Sequence, residues 1–242
     1  MKTYILIPFF FISSFAIAQK FRTTAILSPG ISHYRSSSSE VETNNLLIQN
    51  RGTGFCFSGA IREEYFFSKT FSLGVEVSYL NTNGKFSSPN PLWQGGIPEI
   101  YDIYKHSLAI YSIDIPMLLK IRTKEEITKG IYFYFGTGVS YIIRANRKID
   151  RETGDMNPAS PTDITSVTIG ETTLKTHNNN STGMIGVLGF GKNFVIKNKI
   201  FLCEVKYTFD LNKWSYPTVN DPINSSFDIK RQCLLLNFGF TF

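Results

Sequence analysis

The sequence predicts an all-β fold: a closed antiparallel up-and-down transmembrane β-barrel of about eight strands, with ten as the alternative. Three observations carry the prediction. Bulky apolar side chains alternate with small or charged ones through successive segments. The connections between segments alternate between long and short. Beyond residue 18 there is no apolar run of the roughly 18 residues that a spanning helix requires.

The chain has 242 residues. Lys2 precedes an apolar stretch over 5–15, broken only by Pro8, Ser13 and Ser14, and Ala16-Ile17-Ala18 follows as a small-x-small pattern. This predicts a signal peptide over residues 1–18, removed before Gln19. The stretch falls short of the about 20 residues that cross a bilayer as a stable helix. No cysteine follows the small residues, which argues against a lipid anchor. Residues 19–242 are expected to form one outer-membrane β-barrel domain, a size that all-β barrels reach as single domains.

The elements follow in order. Residues 21–34 read as the first strand, interrupted by Pro29, and the polar stretch 35–52 as a loop. Residues 52–67 and 71–86 form the next two strands around the tight turn Ser68-Lys69-Thr70. Pro89, Pro91, Gly95, Gly96 and Pro98 mark a long loop over 87–104. Strands over 105–122 and 131–144 flank a short charged turn. The polar stretch 145–181 reads as a third long loop in which 164–169 and 172–176 either prolong strands or add a hairpin. Strands over 182–194 and 200–213 flank Lys197-Asn198-Lys199. After a medium loop with Pro217 and Pro222, the last strand covers 226–242. An even strand count places every long loop at one end, an asymmetry typical of transmembrane barrels.

The two faces can be read residue by residue. In the last strand Leu234, Leu236, Phe238, Phe240 and Phe242 share one side. In the third, Phe71, Leu73, Val75, Val77 and Tyr79 oppose Ser72, Gly74, Glu76 and Ser78. A soluble barrel would turn the bulky face inward; a membrane barrel turns it to lipid. Gly74, Gly136 and Gly138 lie on the charged face, where a narrow barrel is crowded, and this favours the membrane arrangement. A lysine or arginine facing lipid at midplane would cost about 2–4 kcal/mol. The ionic side chains are therefore expected inside, as a barrel-interior polar network of Arg62, Glu76, Asp114, Lys120, Arg144, Glu204 and Lys206. Centring the hairpin on Lys69 places Arg62 opposite Glu76. An eight-stranded barrel has an interior just wide enough for side chains to fill, so the network reads as a plug, with an ion or ligand path as the alternative. Pro116 is expected at a local bulge or near the rim, since proline removes a ladder donor.

The stretch Tyr111-Ser112-Ile113-Asp114-Ile115-Pro116-Met117-Leu118-Leu119-Lys120 resembles a recurring strand of the PorT-like outer-membrane β-barrel family of Bacteroidetes. The hairpin over 66–74, Gly136-Thr137-Gly138-Val139 and the terminal Leu236-Asn237-Phe238-Gly239-Phe240-Thr241-Phe242 resemble that family's first tight turn, glycine-bearing strand and closing strand. The resemblance implies a location in the cell outer membrane and a barrel fold. A namesake of the family takes part in type IX secretion and gliding, and no residue here carries that role over.

Enzyme signals are thin. His33, His106 and His177 lie near loops or strand tips, and no HExxH, GxSxG or paired Cys/His spacing occurs. His106 with Ser107 is the nearest approach to a base and nucleophile. Asp150, Glu152 and Asp155 miss the EF-hand spacing. No cofactor and no metal are expected, and no catalytic residue is assigned. Cys56, Cys203 and Cys233 are too few and odd in number for a disulfide framework. The net charge is +6, but the cations are scattered, which argues against nucleic acid. Outer-membrane lipid and envelope or secretion proteins are the expected partners, with the chain itself a monomer. The expected function is that of a non-enzymatic structural or surface-binding protein acting through the loops at 35–52, 87–104 and 145–181. The alternatives are a component of a secretion or envelope-assembly machine, a lipid-modifying outer-membrane enzyme, and a narrow channel.

Overall fold

The computed structural model describes residues 21–37, 51–89, 100–124, 130–155, 165–174, 181–197, 199–217 and 226–242. The predicted signal peptide, the central parts of the loops at 35–52, 87–104 and 145–181, and His177 lie outside the described residues, as do the side chains of His106, Asp150, Glu152 and Asp155.

The described residues form ten strands: β1 (Phe21–Ser37), β2 (Arg51–Phe66), β3 (Phe71–Pro89), β4 (Ile100–Arg122), β5 (Ile131–Asp155), β6 (Thr165–Leu174), β7 (Thr182–Ile196), β8 (Lys199–Asp210), β9 (Trp214–Pro217) and β10 (Ser226–Thr241). Eight of them make a closed antiparallel wall in the order β1-β2-β3-β4-β5-β7-β8-β10, and β10 pairs back onto β1 with Thr241 opposite Thr24. The other two lie off the wall. β6 pairs with the far half of β5 (Ala145 opposite Leu174), and β9 with the start of β10 (Ile229 opposite Trp214).

Much of the stretch read from sequence as a third loop is therefore strand. β5 runs on to Asp155 and β6 folds back along it. Val167, Ile169 and threonines 165, 168, 172 and 173 supply the β-branched side chains that favour this. β4 likewise starts at Ile100, ahead of the predicted boundary, and keeps pairing with β5 (Ile100 opposite Asp155).

Short turns gather at one end of the barrel, here termed the turn end; the opposite end is the loop end. Between β2 and β3, the Ser68 hydroxyl accepts hydrogen bonds from the Thr70 and Phe71 amides at 3.1 and 2.8 Å, which closes the predicted tight turn. Between β7 and β8, Ile196 pairs with Lys199, and Lys197 takes φ 48°. A positive φ suits the primed two-residue turns that match strand twist.

Side chains alternate across the wall. Leu234, Leu236 and Phe238 of β10 are exposed on the outside, while Cys233, Leu235 and Asn237 are buried within. The same holds on β3, where Val75, Val77 and Tyr79 face out and Glu76, Ser78 and Leu80 face in. The inner wall is tight between β4 and β5. A Cβ on Gly136 would lie 2.0 Å from the Met117 carbonyl oxygen, and one on Gly138 would lie 2.2 Å from that of Ile115.

Two prolines leave the register unchanged. Toward β10, the β1 ladder steps from Leu27–Phe238 to Gly30–Leu235 across Ser28 and Pro29 without a shift. Toward β3, the β4 ladder steps from Met117–Val75 to Asp114–Ser78 across Pro116 and Ile115 in the same way. Pro116 is neither at a bulge nor at the rim: β4 runs on six residues to Arg122, and the missing N–H costs one open stretch of ladder and no extra residue. The β4–β5 register shifts instead between Tyr111 and Ser112: Tyr111 faces Arg144 and Ser112 faces Ile142, leaving Ile143 as the inserted residue.

Cys56 on β2 and Cys233 on β10 lie on the inner face on either side of β1, packed in one buried cluster with Leu80 and Leu235. Gly30 of β1 pairs with Cys56 on one side and Leu235 on the other, so no β1 side chain separates them there. Cys203 is exposed on the outer face of β8, and all three thiols are free.

Candidate functional site in the barrel interior

Reading β4 from the turn end gives the plan of the interior: Arg122 and Lys120, then Leu118 and Pro116, then Asp114 and Ser112, then Ile110 and Leu108, all buried. β10 repeats the sequence of layers with Asn237, Leu235 and Cys233, Arg231, and Ile229. Along these two strands ionic and apolar levels alternate; on β8 the buried Thr208 stands between Lys206 and Asp210, and on β1 and β2 Ser28 and Ser58 are buried.

The lower ionic layer, nearer the turn end, is drawn from β2, β3, β4, β5, β8 and β10. Arg62 stands opposite Glu76 across the β2–β3 hairpin and donates to its carboxylate from Nε at 3.0 Å and Nη2 at 2.8 Å. The other edge of the same guanidinium donates to Glu204 at 2.5 and 2.9 Å. Lys206 donates to Glu76 at 2.6 Å. Lys120 donates to Glu64 at 2.9 Å and lies 3.9 Å from Glu204. Arg122 donates to Glu64 and, at 3.2 Å, to Ser72. Glu204 also accepts from Tyr132 at 2.8 Å, Tyr134 at 3.2 Å and Asn237 at 2.8 Å. The Tyr132 ring lies 4.3 Å from the Lys120 ammonium. Burial of charge is tolerated only when partners replace the lost water; this web supplies them to each carboxylate, while Arg122 Nε is left without one.

The upper ionic layer is centred on Arg231. It donates to Ser112 at 2.7 Å, Ser140 at 3.1 Å and Asp210 at 3.2 Å, and reaches Asp114 at 3.5 Å. Its backbone amide donates to Asp210 at 2.7 Å, and the Ser140 hydroxyl donates to Asp114 at 2.5 Å. Between the layers lie two apolar clusters, Cys56 with Leu80, Cys233 and Leu235, and Leu118 with Ile185 and Val187. Beyond the upper layer, Tyr34, Leu108, Ile110, Ile142, Trp214 and Ile229 cap the loop end.

Of the side chains predicted inside, Arg62, Glu76, Lys120, Glu204 and Lys206 come together in the lower layer, and Asp114 belongs to the upper one. Arg144 does not join them. Its side chain is exposed and donates to Asn146 at 2.9 Å, because the residue inserted at Ile143 flips the parity of β5 beyond that point. Four members of the network were missed by the sequence reading: Glu64, Arg122, Asp210 and Arg231. Strand parity carries the signal for each, since Glu64 follows Arg62 by two positions, Arg122 follows Lys120 by two, Asp210 follows Lys206 by four, and Arg231 precedes Cys233 by two. The inward carboxylates and cations are committed to one another. Among the described residues no cluster of His, Cys, Asp or Glu is placed to hold a metal ion.

An eight-stranded wall with an apolar exterior and a polar interior defines an outer-membrane barrel. The chain belongs to the outer membrane protein beta-barrel domain family, whose model matches residues 3–215. Among solved structures it is similar to Ail, the attachment invasion locus protein of Yersinia pestis, at 12% identity and a TM-score of 0.36, covering 91% of this chain and 99% of that one. It is similar to OprG of Pseudomonas aeruginosa at 14% identity and a TM-score of 0.40, covering 90% and 95%, and to Neisserial surface protein A at 13% and 0.39, covering 90% and 97%. Likenesses at this level have no bearing on function. No curated protein matches the chain.

Proposed function

We propose that this protein is a non-conducting, non-enzymatic outer-membrane barrel that serves as a structural or surface-binding protein through its loop end. The observation that carries this reading is the stratified interior. Two ionic layers whose side chains are engaged with one another occupy the bore, with apolar clusters packed between them and over the upper one, and an ion crossing those clusters would lose its hydration. The polar side chains that could otherwise perform chemistry are tied to one another. At the loop end, β4, β5 and β6 continue past the wall as a paired extension, which gives a rigid base for binding by the connections above it. Residues 1–18 act as the signal peptide, the turn end faces the periplasm, and the chain works as a monomer with outer-membrane lipid around it. The stretch Tyr111–Lys120 supports the narrower PorT-like affiliation, and with it a role beside envelope or secretion proteins as the second reading.

Planar-bilayer recording of the refolded chain tests the closed interior: the expected trace is flat, and steady single-channel steps would refute it. Deletion of 156–164, compared with wild type for binding of cells to host or abiotic surfaces, tests the loop end. Unchanged binding, together with loss of secreted cargo in a knockout, would favour the second reading.

A further inference from the structure

On the outside of the wall, β1 and β2 leave a trough of about 800 Å³, within the roughly 300–1,000 Å³ usual for small-molecule sites. Ala25 and Gly59 floor it, Phe201 and Phe240 rise on one side, and Val77 and Tyr79 rise on the other. The glycine is not demanded by the backbone. A Cβ on Gly59 would meet nothing nearer than Leu27 Cδ2 at 3.9 Å, an ordinary contact. Its missing side chain therefore shapes the outer surface and relieves nothing in the wall, the reverse of Gly136 and Gly138.

A cation stands beside the trough, next to its Phe240 wall. Phe201 and Phe240 lie 5.4 Å apart, and the exposed Lys199, beside the β7–β8 turn, holds its ammonium 5.7 Å from the Phe240 ring. From there the trough climbs past Ala25 to Tyr79, well along β3. A docking strand finds no purchase, because β1 and β2 are each paired on both sides and offer no free backbone edge. What fits is a flexible apolar chain with an anionic head, continuous with the lipid that covers the rest of the outer band.

We propose that a glycerophospholipid occupies this trough, with one acyl chain over Gly59 and its phosphate against the Lys199 ammonium. This makes the lipid partnership proposed above specific to one site and rests on that reading. Binding of the folded chain to vesicles of phosphatidylethanolamine and phosphatidylglycerol tests the partnership. Retention of lipid at this site is measured separately, by native mass spectrometry after the barrel is re-extracted from those vesicles and washed in mild detergent. Wild type is expected to keep one phospholipid per barrel. Gly59→Leu, which fills the floor, is expected to reduce retention about tenfold, and Lys199→Gln to reduce it less and mainly for phosphatidylglycerol. Leu188→Phe, on the outer face of β7, serves as the control with unchanged retention. Ala25→Leu replaces Gly59→Leu if the latter does not give the heat-modifiable band of a folded barrel. Equal retention in wild type and the filled variant overturns the proposal, as does a wild-type dimer that Gly59→Leu converts to monomer.

Discussion

The two ionic layers are built from the same chemistry and differ in how partners are shared. In the lower layer cations are in excess: the buried Arg62, Lys120, Arg122 and Lys206 face Glu64, Glu76 and Glu204, which leaves one formal positive charge among the buried groups, and the half-buried Arg22 stands opposite Glu64 at the turn end. Each carboxylate there has a second cation within 4 Å. In the upper layer one cation, Arg231, serves both Asp114 and Asp210, which leaves one formal negative charge, and serine hydroxyls fill the remaining positions. The buried groups of the two layers cancel only as a pair. Lys206 and Asp210, four positions apart on β8, set them about 13 Å apart along a strand. The lower layer is redundant and the upper one hangs on a single side chain, although the lower contains more ion pairs.

The largest effect is therefore expected in the layer with fewer contacts. Arg231→Met strands two buried aspartates with no cation and is expected to cost about 3–5 kcal/mol, measured by urea unfolding of the barrel in lipid vesicles with the gel shift as readout. A loss no greater than that of Arg62→Met would break the comparison. Leu80→Ala hollows the apolar layer between the two and should cost about 2–4 kcal/mol in the same assay. Water admitted there would also speed amide exchange on β3. Arg62→Met should cost less than its number of contacts suggests, about 1–3 kcal/mol. It brings the buried groups of the lower layer to formal neutrality, and Glu76 keeps Lys206 while Glu204 keeps Tyr132, Tyr134 and Asn237. Asp114→Asn sharpens the point from the other side. It removes the surplus negative charge of the upper layer and loses only the longest of its ion contacts, so a change under about 1 kcal/mol is expected. A loss as large as that of Arg231→Met would mean that the aspartates carry the layer.

Alternation of side chains made the wall legible, because one inner and one outer face per strand is all that a closed barrel needs. The pairing of Arg62 with Glu76 could be read from the length of a tight hairpin alone. Placing Arg144 requires knowing that Ile143 is an inserted residue, and nothing in the local sequence announces it. Pro116 and Pro29 looked like disruptions because proline lacks a donor; neighbouring rungs hold the register across both. The stratification was hidden for another reason. It depends on which residues of eight strands share a level, a property of the stagger around the barrel and not of any one segment.

The thiols give this barrel an internal clock. Cys56 and Cys233 belong to strands that meet across β1 only after the last strand has joined the first. Both are then sealed from water, whereas Cys203 ends up on the outer surface. A water-soluble maleimide added during refolding would thus label the first two only until the seam shuts, and the decay of that labelling would time closure without any engineered probe.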